Sequence, residues 1–213
     1  DINIGLKDYL MYEGFSSKLV PFRNKIGNIN PGIVSVDSLY DKMMNVYCWD
    51  ALKRDDYDVD YQNYYTFLGV LPQRELFVTA ASALLKAGDK ERAIAILDKC
   101  QECLPANVWP IESIPLGFTT NDYMVVNMVK CYYEAGCPEK ATALGGQLGN
   151  ELLKSAAFYL DFFDYADGEF DTVCQFMSYL IEEMENGGDK VVSKKLKDNL
   201  LALLHTVSGD YEE

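Results

Sequence analysis

The stretch Phe77 to Pro105, FVTAASALLKAGDKERAIAILDKCQECLP, constrains the fold more than any other part of the chain. Apolar or small residues recur at Phe77, Ala80, Ala81 and Leu84, the spacing of one helix face. Gly88-Asp89 interrupts that pattern. A second stripe follows at Ala93, Ile96, Leu97, Cys100 and Leu104, and Pro105 ends it. Two short amphipathic helices joined by a tight turn cannot bury both stripes between them. They need similar pairs stacked alongside.

A second copy lies downstream. Gln73 to Lys86 and Lys90 to Cys103 are predicted as one helix pair, Asn121 to Glu134 and Glu139 to Leu153 as the next. The turns correspond: GDKERA begins at Gly88 and GCPEKA at Gly136. Glycine suits the left-handed residue that closes a helix, and Pro138 with the acidic residues suits a helix start. The two glycines stand 48 residues apart (88 to 136), against roughly 34 for a tetratricopeptide repeat. The excess falls in Ala106 to Thr120, with Pro110 and Pro115, which reads as an inserted loop. A degenerate third pair is expected from Ala156 to Ala166 and Phe170 to Glu185, turning at Asp167-Gly168. Asn186-Gly187-Gly188-Asp189 then breaks the chain. Lys190 to Val207 forms a capping helix that buries Val192, Leu196, Leu200, Leu203 and Leu204.

The expected fold is therefore mostly all-α. It comprises a tetratricopeptide-like α-α superhelix over residues 73–213 and an irregular N-terminal lobe over residues 1–72. In the lobe, Leu6 to Phe15 is expected as a short helix. Ser17 to Phe22 is expected extended ahead of Pro21, and Gly27 to Gly32 as a loop. Ser35 to Tyr47 is expected as a helix capped by Ser35 or Asp37, with Leu39, Met43, Val46 and Tyr47 along one face.

With 213 residues, 49% of them hydrophobic, the chain can bury a substantial core. Its formal net charge of −14 argues against a nucleic-acid partner, since nothing would neutralise a run of phosphates. No apolar run approaches the roughly 20 residues that span a bilayer, and no signal peptide is visible. The chain opens on Asp1 inside a segment that already reads as structured, which suggests a domain excised from something larger.

Few residues suggest chemistry. Of the six cysteines, Cys100 and Cys103 form a C-x-x-C inside a predicted helix, and no second pair or nearby histidine completes a zinc site. They read as small core residues. An oxidising compartment would permit a bond from Cys100 or Cys103 to Cys131 or Cys137. Asp56-x-Asp58-x-Asp60 resembles the start of a calcium loop, but Tyr61 and Phe67 stand where glycine and glutamate are required. His205 is the one histidine, so a triad or a histidine-rich metal site is excluded unless His205 itself acts, and its place beside Leu203 and Leu204 in the last helix reads as surface or packing. No catalytic residue, metal site or cofactor is expected. Tyr57, Tyr61, Tyr64, Tyr65 and Trp49 could line a glycan or peptide surface or pack the lobe.

In a stacked array the first helix of each pair faces the groove. Counting from the turn glycines places Glu75, Ser82 and Lys86 there from the first pair, and Tyr123, Lys130 and Tyr133 from the second. Such grooves bind extended peptides, so the partner expected is a protein or peptide. The alternatives are a glycan-acting enzyme using carboxylates of the Tyr-rich lobe, and a purely structural or oligomerisation module.

Two N-terminal segments carry a family resemblance. One is Leu6-Lys7-Asp8-Tyr9-Leu10-x-Tyr12-Glu13-Gly14-Phe15-x-x-x-Leu19-Val20-Pro21. The other is Val36-Asp37-x-Leu39-Tyr40-Asp41-x-Met43-Met44-Asn45-x-Tyr47-x-Trp49. With Ala93-Ile94-x-x-Leu97-Asp98-x-Cys100, they resemble the soluble C-terminal part of a family of polytopic Bacteroidetes membrane proteins similar to protein O-mannosyltransferases. The resemblance covers residues 2–105 and extends beyond them only in layout. It implies a tail on the extracytoplasmic, periplasmic face of a membrane-embedded, glycosyltransferase-like parent. Any catalytic residues would lie in the membrane part and not in this chain.

Overall fold

The computed structural model describes residues 6–23, 35–54, 56, 70–112 and 121–209, and over these the chain is mostly helical. Helix α1 (Val36–Asp41) belongs to the N-terminal lobe. Among the described residues six longer helices follow: α2 (Val70–Lys86), α3 (Lys90–Cys103), α4 (Asn121–Ala135), α5 (Pro138–Leu160), α6 (Phe163–Asn186) and α7 (Val192–Gly209). They pack as α2 with α3, α4 with α5 and α6 with α7. Successive pairs also touch, through α2 and α4, α4 and α6, α5 and α6, and α5 and α7.

One turn is built three times. Gly88, Gly136 and Gly188 adopt φ of 81°, 88° and 92°, a region open to glycine at little cost. Each donates its N–H to the carbonyl three residues back (Leu85, Tyr133, Glu185). The next residue donates five back (Leu84, Tyr132, Met184), so two of the carbonyls a helix end would leave bare are satisfied. Asp89 then caps α3 by accepting from Arg92 N at 3.1 Å, and Asp189 caps α7 by accepting from Val191 N and Val192 N at 2.9 Å. At the middle turn Cys137 caps without its side chain, and Pro138 begins the helix.

Counting from these glycines superposes the core. Four residues before each stand Leu84, Tyr132 and Met184, and eleven before stand Phe77, Val125 and Met177; five after stand Ala93, Ala141 and Ser193. All are buried. The third turn is thus at Gly188-Asp189 and not at Asp167-Gly168, and α7 is the second helix of the third pair. Ala156 to Leu160 continue α5, because Leu152 and Ala156 extend its buried stripe and nothing breaks it before Asp161. Gly168 lies within α6, where Asp167 accepts from its N–H at 2.9 Å. The one non-helical residue of α6 is Ala166.

The lobe also departs from expectation. Leu6 to Phe15 is not a helix. A short 3-10 turn at Lys7–Tyr9 leads into strand β1 (Leu10–Tyr12), which pairs antiparallel with β2 (Ser17–Leu19) in the register Leu10 to Leu19. Gly14, at φ 104°, reverses the chain between them. Helix α1 gives way to a π-helical turn at Lys42–Val46, closed by Tyr47 N on the Lys42 carbonyl. Leu39 and Met43 stay buried, but the wider turn rotates Val46 out to 58% exposure. Ser35 occupies the N-cap without a side-chain capping bond. The Gly27 to Gly32 loop lies outside the described residues.

Trp49 seats the lobe on the array. Its Nε1 donates to the Met43 carbonyl at 2.7 Å, and its ring lies 5.0 Å from that of Phe77. Leu39, Met43 and Trp49 belong to the same apolar cluster as the helix pairs, so lobe and array share one core. Among the described residues no helix is long and apolar enough to cross a membrane.

Candidate functional site

The first helices of the first two pairs leave a cleft between them. Ser82, Leu85 and Lys86 of α2 and Lys90 at the start of α3 form one wall. Asn127, Lys130, Cys131 and Glu134 of α4 form the other, around about 370 Å³ of open space. Ser82, Lys86 and Lys130, expected from the sequence, therefore meet in one place.

The other three expected residues stand elsewhere. Tyr123 lies two turns before Lys130 on α4, its ring stacked on Tyr179 of α6 at 6.0 Å and 15°. Glu75 is exposed nearer the lobe, where its charge, after burial, helps raise the Tyr12 pKa. Tyr133 points into the junction of the second and third pairs. Its hydroxyl lies 3.1 Å from Thr142 Oγ1, which donates to Asp189 Oδ2 at 2.8 Å.

Leu85, Lys90, Asn127, Cys131 and Glu134 line the cleft without being expected from the sequence. Lys90 belongs to a second helix, and only first helices were assigned to the groove. Glu134 had a readable signal: it stands two residues before Gly136, as Lys86 stands two before Gly88. Tyr133 sits one residue off that register, which rotates it about 100° around the helix.

The cleft is cationic in a strongly acidic chain. Lys86 and Lys90 make no ion pair among the described residues. Lys130 pairs with Glu183 of α6 at 2.9 Å, which raises its pKa and keeps it charged. Asn127 Nδ2 donates within its own helix to the Tyr123 carbonyl at 2.9 Å. Cys131 Sγ lies 3.5 Å from Ser82 Oγ. Burial raises this thiol's pKa, against a lowering contribution from the Ser82 hydroxyl, so it is protonated at neutral pH and a poor nucleophile. Comparison with protein-family models, curated proteins and solved structures returns no match.

The remaining sequence candidates form no second centre among the described residues. All six cysteines are free thiols, and Cys100 and Cys103 are buried on α3. Asp56 pairs with Arg54 at 2.6 Å, while Asp55, Asp58, Asp60 and Tyr57, Tyr61, Tyr64 and Tyr65 lie outside the described residues. His205 is exposed on α7.

Proposed function

We propose that the chain is a non-catalytic interaction module, a tetratricopeptide-like stack of three helix pairs whose first groove docks an acidic segment of a partner protein. The observation that carries this reading is the cleft between α2 and α4. Two lysines without ion-pair partners among the described residues, Lys86 and Lys90, and a third shared with Glu183 face one carboxylate, Glu134, in a chain of net charge −14. An acidic segment is repelled by most of this surface and attracted by one cleft, which gives register and specificity. Ser82 and Asn127 add polar groups for the backbone of an extended peptide.

The N-terminal resemblance supports a setting. The module would be the soluble tail of a membrane-embedded, glycosyltransferase-like parent, holding a partner or acceptor protein at the extracytoplasmic face.

A fluorescently labelled Glu-rich peptide tests the docking by anisotropy, against the same peptide with Gln for Glu. Binding of the acidic peptide alone, weakening as salt rises from about 50 to about 300 mM, is expected for exposed charges. Equal binding of the neutral peptide would remove the assignment.

A further inference from the structure

A different face of α4 borders a second cavity, of about 200 Å³ and partly open to solvent, lined also by α2, α3, α5 and the segment after Pro105. Its walls are mostly apolar, with Ile111, Val125 and Met128 among them. Its polar side chains are Arg74, Gln101 and Gln147, and among the described residues no acidic side chain lines it.

Arg74 is the unusual member. It is 2% exposed, the one buried charged side chain among the described residues. Its Nη1 and Nη2 donate to the carbonyls of Pro110 and Trp109 at 2.7 and 2.6 Å, which ties α2 to the segment beyond α3. No carboxylate pairs with it among the described residues. A guanidinium carries a full positive charge, and among the described residues only carbonyl dipoles oppose it. Buried charges ordinarily have a counter-charge. The Cys100 thiol on the same wall supplies none. Burial pushes its pKa up to about 12, with Arg74 pulling weakly the other way.

We propose that this cavity binds a monocarboxylate with a short apolar body, its carboxylate paired with Arg74 and its body against Ile111, Val125 and Met128. The space equals on the order of six waters, below the usual size of drug-like pockets, so the occupant is small. Gln101 Nε2 already donates to the Tyr132 hydroxyl at 2.6 Å, so its second N–H and the Gln147 amide are the donors left for an anion, and neither glutamine adds a repelling charge. The cavity is separate from the lysine cleft and does not depend on the docking proposed there.

Hexanoate is the probe, with hexanol as its neutral match, read by NMR of the Ile111, Val125 and Met128 methyl groups in the full chain. Saturable hexanoate shifts are expected, with a dissociation constant on the order of 1 mM, and no saturation with hexanol. Arg74→Met should abolish the shifts. Because that variant also loses the two carbonyl bonds, Gln147→Glu is the second test. It places a carboxylate in the cavity wall at an exposed position and should weaken hexanoate about tenfold while keeping the fold. A short peptide with a free C-terminal carboxylate, against its amide, identifies the source. Peptide binding without hexanoate binding assigns the cavity to chain ends, and hexanoate binding assigns it to free acids. Hexanol saturating as hexanoate does, unchanged affinity in Gln147→Glu, or no response to either acid would overturn the proposal.

Discussion

The junction between the first and second helix pairs and the junction between the second and third use the same scaffold with opposite results. Nine and five residues before the turn glycine, the second pair presents Asn127 and Cys131 to its neighbour, while the third presents Tyr179 and Glu183. The short side chains leave a cleft in which Lys86 and Lys90 make no ion pair among the described residues. The long ones fill the equivalent space, Tyr179 stacking on Tyr123 and Glu183 pairing with Lys130. Whether a junction between repeats is open or closed is set by a few positions that face the neighbouring pair, the buried Cys131 among them, while the stripe through Leu84, Tyr132 and Met184 is buried in all three pairs.

The closed junction should be the less tolerant of change. Gly187 precedes the third turn glycine where the other pairs have Ala87 and Ala135. A Cβ at Gly187 would overlap the Tyr133 ring. Gly187→Ala gives the third pair the residue of the other two and should still destabilise the fold by about 1–3 kcal/mol, through overpacking. Adding Tyr133→Ala should recover part of the loss. Urea unfolding measures both, and an unchanged midpoint for Gly187→Ala would show that the junction is looser than its geometry.

The open junction should respond in binding and not in stability. Lys86→Glu with Lys90→Glu should weaken an acidic peptide by about tenfold or more, equivalent to about 1.4 kcal/mol. Both side chains are exposed and make no ion pair among the described residues, so the urea midpoint should stay within about 0.5 kcal/mol of the parent. Unweakened binding would move the docking surface away from this cleft.

How much of this was legible follows from which signals are local. The turns at Gly88 and Gly136 were readable because a glycine interrupts a helical period and the period resumes in a new phase. Asp167-Gly168 gives the same local signal and is absorbed into α6. Only the buried stripe of Leu152 and Ala156, continuing to Leu160, shows that the second pair has not yet ended. The hairpin at Leu10–Leu19 has strands too short to display alternation, and the π turn at Lys42–Val46 has no composition of its own. In the cleft, Ser82, Lys86 and Lys130 followed from the distance to a turn glycine, whereas Lys90 follows only from knowing that α3 opens beside it. Arg74 gave no warning, since a charged residue near a helix start reads as exposed until the segment after Pro105 is seen folding over it.

The third turn depends on its cap more than the middle one does, because Asp189 accepts from backbone N–H groups and Cys137 does not. Asp189→Ala should cost about 1 kcal/mol. Burial raises the Asp189 pKa, but the Thr142 hydroxyl and the N–H groups of residues 191 to 193 outweigh it, and the net shift is downward. A carboxyl held below its unfolded value of about 3.9 stabilises the fold above that pH and loses the contribution as pH falls through the folded value. The acid unfolding of Asp189→Ala should therefore lack a part that the parent shows below about pH 4. Identical acid limbs would mean that the cap is equally strong when protonated.

The smallest effect on stability should have the opposite sign in binding. Glu183 closes the second junction by taking Lys130, and Lys130 also lines the first. Glu183→Gln removes a partly exposed ion pair worth about 0.2–1 kcal/mol, so the urea midpoint should fall slightly and the loss should shrink in high salt. The same change releases the Lys130 charge to the cleft, and an acidic peptide should bind about two- to threefold more tightly at low salt. Tighter binding from a weakened fold would show that the two junctions compete for one lysine. Equal or weaker binding would show that Glu183 does not withhold that charge, and the difference between the junctions would then be one of shape alone.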